Sequence, residues 1–171
     1  MSEKILCVLA GYDDSTEECL SGIQNDLYTR GFSGVQTKDV PMHFTMGTYD
    51  TTQEDELKER LRRIARTHDA FGAEFNHVGL FRLPANDVLF VAPEVSKEML
   101  LLKDEFRDSK DKFSWSPHTT MLIDTPDVIR DATQIVLGKL PIPKGTVSTL
   151  YLYEFWPSRL IMTVHLGQDN Q

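Results

Sequence analysis

The four residues His43-Phe44-Thr45-Met46 recur as His118-Thr119-Thr120-Met121, and the surroundings recur with them. Each copy is followed shortly by Asp-Thr, at Asp50-Thr51 and at Asp124-Thr125. A hairpin proline then comes at a similar interval, 41 residues from His43 to Pro84 and 39 from His118 to Pro157. Each half also reads helix, strand, helix, hairpin. The period is too long for a solenoid. It indicates an internally duplicated α+β unit, and two such units predict a two-lobed fold. The expected sheets are mostly antiparallel, with helices on the outside and a central cleft. The lobes are expected at about residues 1–93 and 94–171 of a single domain spanning 1–171.

Local patterns supply the elements. Lys4 to Ala10 is apolar enough for a buried strand. Ser15-Thr16-Glu17-Glu18 reads as a capping box opening a helix through Leu20, Ile23 and Leu27, stopped at Gly31. A strand follows over Met42 to Tyr49. Thr51 with Glu54 reads as a second box, opening a helix with Leu57, Leu61, Ile64, Ala65 and His68 on one stripe. Strands over Ala73 to Leu83 and Val88 to Ala92 flank a turn at Pro84-Ala85-Asn86-Asp87. Ser96 caps a helix through Met99, Leu102 and Phe106, and a strand covers Ser116 to Ile123. Thr125-Pro126-Asp127 begins the last helix and Gly138 ends it. Strands over Val147 to Phe155 and Arg159 to Leu166 flank Trp156-Pro157-Ser158.

A chain of 171 residues with 40% hydrophobic residues can bury a core without staples. Its apolar runs are too short to span a bilayer, and Ser2-Glu3-Lys4 does not open a signal peptide. Two cysteines, Cys7 and Cys19, make a poor disulfide framework, so the expected setting is cytoplasmic. The net charge of −8 argues against gripping long duplex nucleic acid by counterion release. Small anions held by a few placed groups remain compatible with it. The chain is expected to be a monomer.

The chemistry lies in the repeated motif. Residues two apart in a strand share a face, so His43 aligns with Thr45 and His118 with Thr120. If the lobes oppose each other, two imidazoles and two hydroxyls converge. Imidazole titrates near neutrality, so one ring can act as base and the other as acid. Hydroxyls can donate to the non-bridging oxygens of a phosphate without adding charge. Composition alone gives about half an H-x-T by chance, so one copy is weak and two equivalent copies are strong. Neither motif brings the carboxylate or cysteine partners of a zinc or magnesium site, so no metal and no cofactor is expected.

On these residues the chain resembles the two-histidine (2H) phosphoesterase superfamily. That LigT-like group includes 2′,5′-RNA ligase-like proteins and 2′,3′-cyclic phosphodiesterases. The likeness spans nearly the whole chain. Its pattern is His, an apolar residue, Thr or Ser, then apolar residues, occurring twice. Here Gly47 replaces the usual apolar fifth residue, Thr119 occupies an apolar slot, and Leu122-Ile123-Asp124 lacks the basic residue many members carry. The resemblance implies that one of His43 and His118 takes a proton from water as it attacks phosphorus. The other gives a proton to the leaving ribose oxygen, while Thr45 and Thr120 hold the non-bridging oxygens. It implies a nucleotide or short RNA substrate. The linkage stays open between a 2′,3′-cyclic phosphate, a 2′,5′ linkage and a cyclic oligonucleotide. A non-catalytic nucleotide- or RNA-binding module and an interaction scaffold are the competing readings.

Other residues invite assignment. Arg82 and Arg159 flank the hairpin turns and are the candidate cations for the phosphate charge. Trp156, at a turn, and Tyr12, after the first strand, are candidate substrate contacts, Trp156 by stacking on a base. Tyr151, Tyr153 and Phe155 read as core. His68 reads as structural, and His165, on one face with Thr163 in a reversed motif, as packing or as support behind the site. The basic cluster Lys58, Arg60, Arg62, Arg63 and Arg66 reads as a solvated helix face with Glu54–Lys58, Glu56–Arg60 and Glu59–Arg63 pairs.

Overall fold

The computed structural model describes residues 3–111 and 114–168. The element order is β1 (Ile5–Tyr12), α1 (Asp14–Thr29), β2 (His43–Asp50), a 3₁₀ turn (Thr51–Gln53), α2 (Glu54–Thr67), β3 (Phe71–Ala73), β4 (His77–Arg82), β5 (Asp87–Ala92), α3 (Lys97–Asp104), β6 (Thr119–Asp124), α4 (Pro126–Leu137), β7 (Gly145–Phe155) and β8 (Arg159–His165). It is an α+β fold of two antiparallel sheets with helices packed on them. One sheet runs β2-β1-β7-β3, with β8 also on β7; the other runs β4-β5-β6. Among the described residues no helix is long and apolar enough to cross a membrane.

The sheets do not follow the two sequence halves. The β4–β5 hairpin, from the first half, pairs with β6 from the second, and the β7–β8 hairpin pairs with β1. The physical reason is burial. Residues of β5 are buried throughout and those of β1 almost throughout, so each strand requires a partner on both sides. β1 finds β2 and β7; β5 finds β6 and β4. Thus β1-α1-β2-α2-β4 and β5-α3-β6-α4-β7 correspond in order and pairing, and each unit places its last strand in the other's sheet.

Several element ends also move from their expected places. Asp13, not Ser15, caps α1, accepting from Thr16 N at 3.0 Å, and the Thr16 hydroxyl accepts from Thr146 N. Asp50 and Gln53, rather than Thr51 and Glu54, form the reciprocal box before α2. The strand expected over Ala73 to Leu83 is two strands in different sheets, with Phe75 buried at the crossing against Tyr12. Ser96 caps α3 and Pro126 opens α4, as read from sequence. One apolar core runs continuously from Leu6, Phe44 and Met46 to Leu89, Met121 and Ile129.

Candidate active site

β2 and β6 are edge strands of their sheets and lie close to one another. Each carries a bulge at the same point of its motif. Val8 pairs with Gly47 and Leu9 with Thr45, which leaves Met46 unpaired; Leu89 pairs with Leu122 and Phe90 with Thr120, which leaves Met121 unpaired. A bulge bends its strand and re-aims side chains. Here both methionines and the residues after them are buried, while His43, Thr45, His118 and Thr120 stay half-buried on the opposite side.

The outer edges of both motif strands are held by the other half of the chain. Thr45 O accepts from Trp115 Nε1 at 2.9 Å and Met46 O from Lys103 Nζ at 2.6 Å. Met121 O accepts from Gln24 Nε2 at 3.1 Å. Lys110 N donates to Thr48 O, and Val35 N to Ile123 O, both at 2.8 Å. Edge carbonyls left bare inside a cleft would cost desolvation with no return. The clamps answer that need and fix the strands.

The two imidazoles are oriented alike. His43 Nδ1 lies 2.6 Å from Pro41 O, and His118 Nδ1 lies 2.8 Å from Ser116 O. A carbonyl only accepts, so Nδ1 carries the hydrogen in both rings and Nε2 is left for the cleft. Burial pulls the His43 pKa below the ordinary value; the Pro41 carbonyl opposes this, and the charge on His118 adds to it. The His118 ring packs edge-on against Phe81, centroids 4.8 Å apart, and also touches Phe90. Upstream of His43, the Glu17 carboxylate accepts from Met42 N at 3.0 Å and fixes the approach to β2.

Two pockets open on these groups. The first, about 230 Å³, is lined by His43, Thr45 and Thr120 together with Gln36, Thr37 and Trp156. The second, about 670 Å³, is lined by Thr45 and His118 together with Phe81, Arg82 and Trp115. They share Thr45. Neutral donors and two titratable rings therefore border two pockets that meet at Thr45, groups of the kind that can hold an anionic centre and move protons.

A family model described as the 2′-5′ RNA ligase superfamily matches residues 19–155. The chain belongs to that superfamily. No curated protein sequence matches it at a significant level. Among solved structures, apo LigT of E. coli is 16% identical with a TM-score of 0.63, covering 98% of this chain and 100% of that one. TT0787 of Thermus thermophilus is 16% identical with a TM-score of 0.64, covering 97% and 100%. Kluyveromyces marxianus Usb1 with uridine monophosphate is 14% identical with a TM-score of 0.53, covering 96% and 99%. At such identities the likeness is one of fold.

Within this 2′-5′ RNA ligase superfamily chain, two sequence candidates fall outside the cleft. Tyr12 ends β1 on the core side and is 4% exposed; its hydroxyl bonds Thr119 Oγ1 at 2.7 Å and its ring packs on Phe44. It touches the middle residue of both motifs, which accounts for Thr119 standing in an apolar slot. Arg159 is tied to Glu154 and Glu54, each at 3.1 Å, and lines neither pocket. Trp156 stands at the first pocket's rim, 59% exposed, its indole donating to Thr37 Oγ1. Arg82 lines the second pocket, with Nε 2.8 Å from the buried Asp87 carboxylate.

The remaining candidates have structural partners. His68 bonds Glu105 at 3.1 Å, and His165 bonds Thr149 at 3.4 Å. Lys58, Arg60, Arg62 and Arg63 of the basic face of α2 pair with Glu54, Glu56, Glu59, Glu105 and Asp108; Arg63 takes Glu105 rather than the expected Glu59. Tyr153 and Phe155 belong to a small cluster with Cys7 and Leu9 on the cleft side, not to the main core. Among the described residues no group of three or more His, Cys, Asp or Glu is placed to hold a metal ion. Sequence reasoning missed Gln24, Phe81, Lys103 and Trp115. Only Trp115 had a local signal, an aromatic ring three residues before His118.

Proposed function

We propose that the chain is a metal-independent phosphoesterase. It hydrolyses a 2′,3′-cyclic phosphate or a related phosphodiester of a nucleotide or short RNA end. The observation that carries this is the shared tautomer: His43 and His118 both commit Nδ1 to a backbone carbonyl and leave Nε2 beside a threonine-lined cleft. One ring, neutral, takes a proton from water as its oxygen attacks phosphorus. The other, protonated, gives a proton to the departing ribose oxygen. Thr45 and Thr120 donate to the non-bridging oxygens, where negative charge gathers. The lowered pKa of His43 suits the neutral role.

Family membership and the fold likeness to a LigT solved with 3′-AMP and to a Usb1 solved with uridine monophosphate support a nucleotide substrate. The test is hydrolysis of 2′,3′-cyclic and 2′,5′-linked substrates in EDTA. Turnover is expected to persist with the chelator and to follow a bell-shaped pH profile. His43→Ala and His118→Ala should each lower kcat by about 10² to 10⁴-fold. Activity abolished by EDTA and restored by metal overturns the reading.

A further inference from the structure

We infer that Glu17 is a positioning residue for the reaction: its carboxylate holds the peptide group that fixes the tautomer of His43. The inference rests on the two-histidine reading above and adds to it a residue that serves the chemistry without touching substrate. The carbonyl that accepts from His43 Nδ1 and the N–H that donates to Glu17 belong to one peptide group. Pro41 O lies 2.6 Å from His43 Nδ1, and Met42 N lies 3.2 Å and 3.0 Å from the two Glu17 carboxylate oxygens. The Pro41–Met42 peptide is trans, so its C=O and N–H point to opposite sides. A carboxylate from the first turn of α1 thus grips one end of the peptide, and the imidazole of β2 bonds the other. An ionised acceptor makes the stronger hydrogen bond, and polarising the N–H makes the carbonyl a better acceptor in turn.

The peptide needs this grip. Among the described residues no hydrogen bond between main-chain groups involves 36–42. The proline ring fixes φ of Pro41, yet rotation about ψ of Pro41 and φ of Met42 would swing the carbonyl away from the imidazole. Glu17 is committed to the task as well. Among the described residues it has no cation partner; burial raises its pKa, and the Met42 N–H opposes the rise. The titratable groups its charge reaches are the phenols of Tyr12 on β1 and Tyr151 on β7, both pushed up by burial and so neutral.

The second motif has no such support. His118 Nδ1 donates to Ser116 O, whose peptide runs into Pro117, and a proline nitrogen carries no hydrogen to grip. Two rings oriented alike are therefore held by unlike means, and Glu17 acts on one of them.

The experiment compares wild type with Glu17→Gln, which keeps an acceptor for Met42 N, and with Glu17→Leu, which removes it. Glu17→Ala is a second truncation for use if the leucine variant does not fold, and a thermal melt checks each. Turnover of 2′,3′-cyclic AMP and NMR of the ring nitrogens are read on all of them. The truncation should lower kcat by about tenfold. KM should stay within about twofold, because Glu17 lines neither pocket. Glu17→Gln should keep most of the rate. In the truncation the Nδ1–H form of His43 should give way to a mixture of tautomers, and its pKa should fall as the Pro41 bond loosens, while His118 stays as in wild type. An unchanged His43 tautomer, an unchanged kcat, or an equal disturbance at both rings overturns the inference and leaves the two-histidine reading standing. Turnover that survives His43→Ala overturns that reading, and this one with it.

Discussion

The phenol of Tyr12 and the hydroxyl of Thr119 lie 2.7 Å apart in the core beneath the two motifs, 107 residues apart in sequence. Burial drives the Tyr12 pKa well above its ordinary value, so the group is a neutral hydrogen-bonding partner throughout the physiological range. Removing one member of a buried pair leaves the other unsatisfied, whereas removing both does not. Tyr12→Phe should therefore cost about 1 to 3 kcal/mol in denaturant unfolding. Adding Thr119→Val should restore much of the loss. A double variant as unstable as the sum of the single ones contradicts the pairing.

His43 should titrate below the ordinary histidine value in an NMR pH series, because burial disfavours its charged form and His118 repels it. Replacing His118 by Gln removes the repulsion, so the His43 value should rise. Since folding lowers this pKa, its contribution to stability is present above the unfolded histidine value near 6.5 and is lost as pH falls. A His43 titration unmoved by His118→Gln removes the coupling between the rings.

The Lys103 ammonium holds the Met46 carbonyl at the bulge of β2 and lies over the Trp115 ring, whose N–H holds Thr45 O. Lys103→Met should loosen the bulge that sets Thr45. Turnover should fall by about tenfold, since small displacements of positioned groups carry large rate penalties. Gln24→Leu should act in the same direction at Thr120. Full turnover in both variants shows that the bulges hold their shape without these clamps.

Arg82 and Arg159 should separate. Arg159→Gln should leave turnover within about twofold and lower stability slightly, because Arg159 lines neither pocket and the buried Glu154 keeps Lys4 as a partner. Arg82→Gln should raise KM several-fold, because Arg82 lines the second pocket. The opposite pattern of kinetics places the cation at the other hairpin.

What could be read from sequence is what short-range physics encodes. Alternation put His43 beside Thr45 and His118 beside Thr120, and the stops and caps at Ser96, Pro126 and Gly138 are local chemistry. What escaped depends on distant residues meeting. Trp115 reaches Thr45 across 70 positions and Gln24 reaches Met121 across 97, with no periodicity to announce either. The exchange of β4 and β7 between units is invisible for the same reason, since each looks like an ordinary member of its own hairpin. Arg159 passed for an available cation because its ties to Glu54, 105 positions away, and to Glu154, across the β7–β8 hairpin, appear only once the strands pair.

The cross-wise clamping of β2 and β6 makes assembly of the cleft an all-or-nothing event. A nascent chain that has emerged only as far as Leu102 contains His43 and Thr45, yet lacks the indole and ammonium that set their strand. His118 and Thr120 likewise rest on Gln24, made long before them. Hydrolytic competence should therefore arise at the last stage of cooperative folding, and its loss on heating should coincide with global melting rather than precede it.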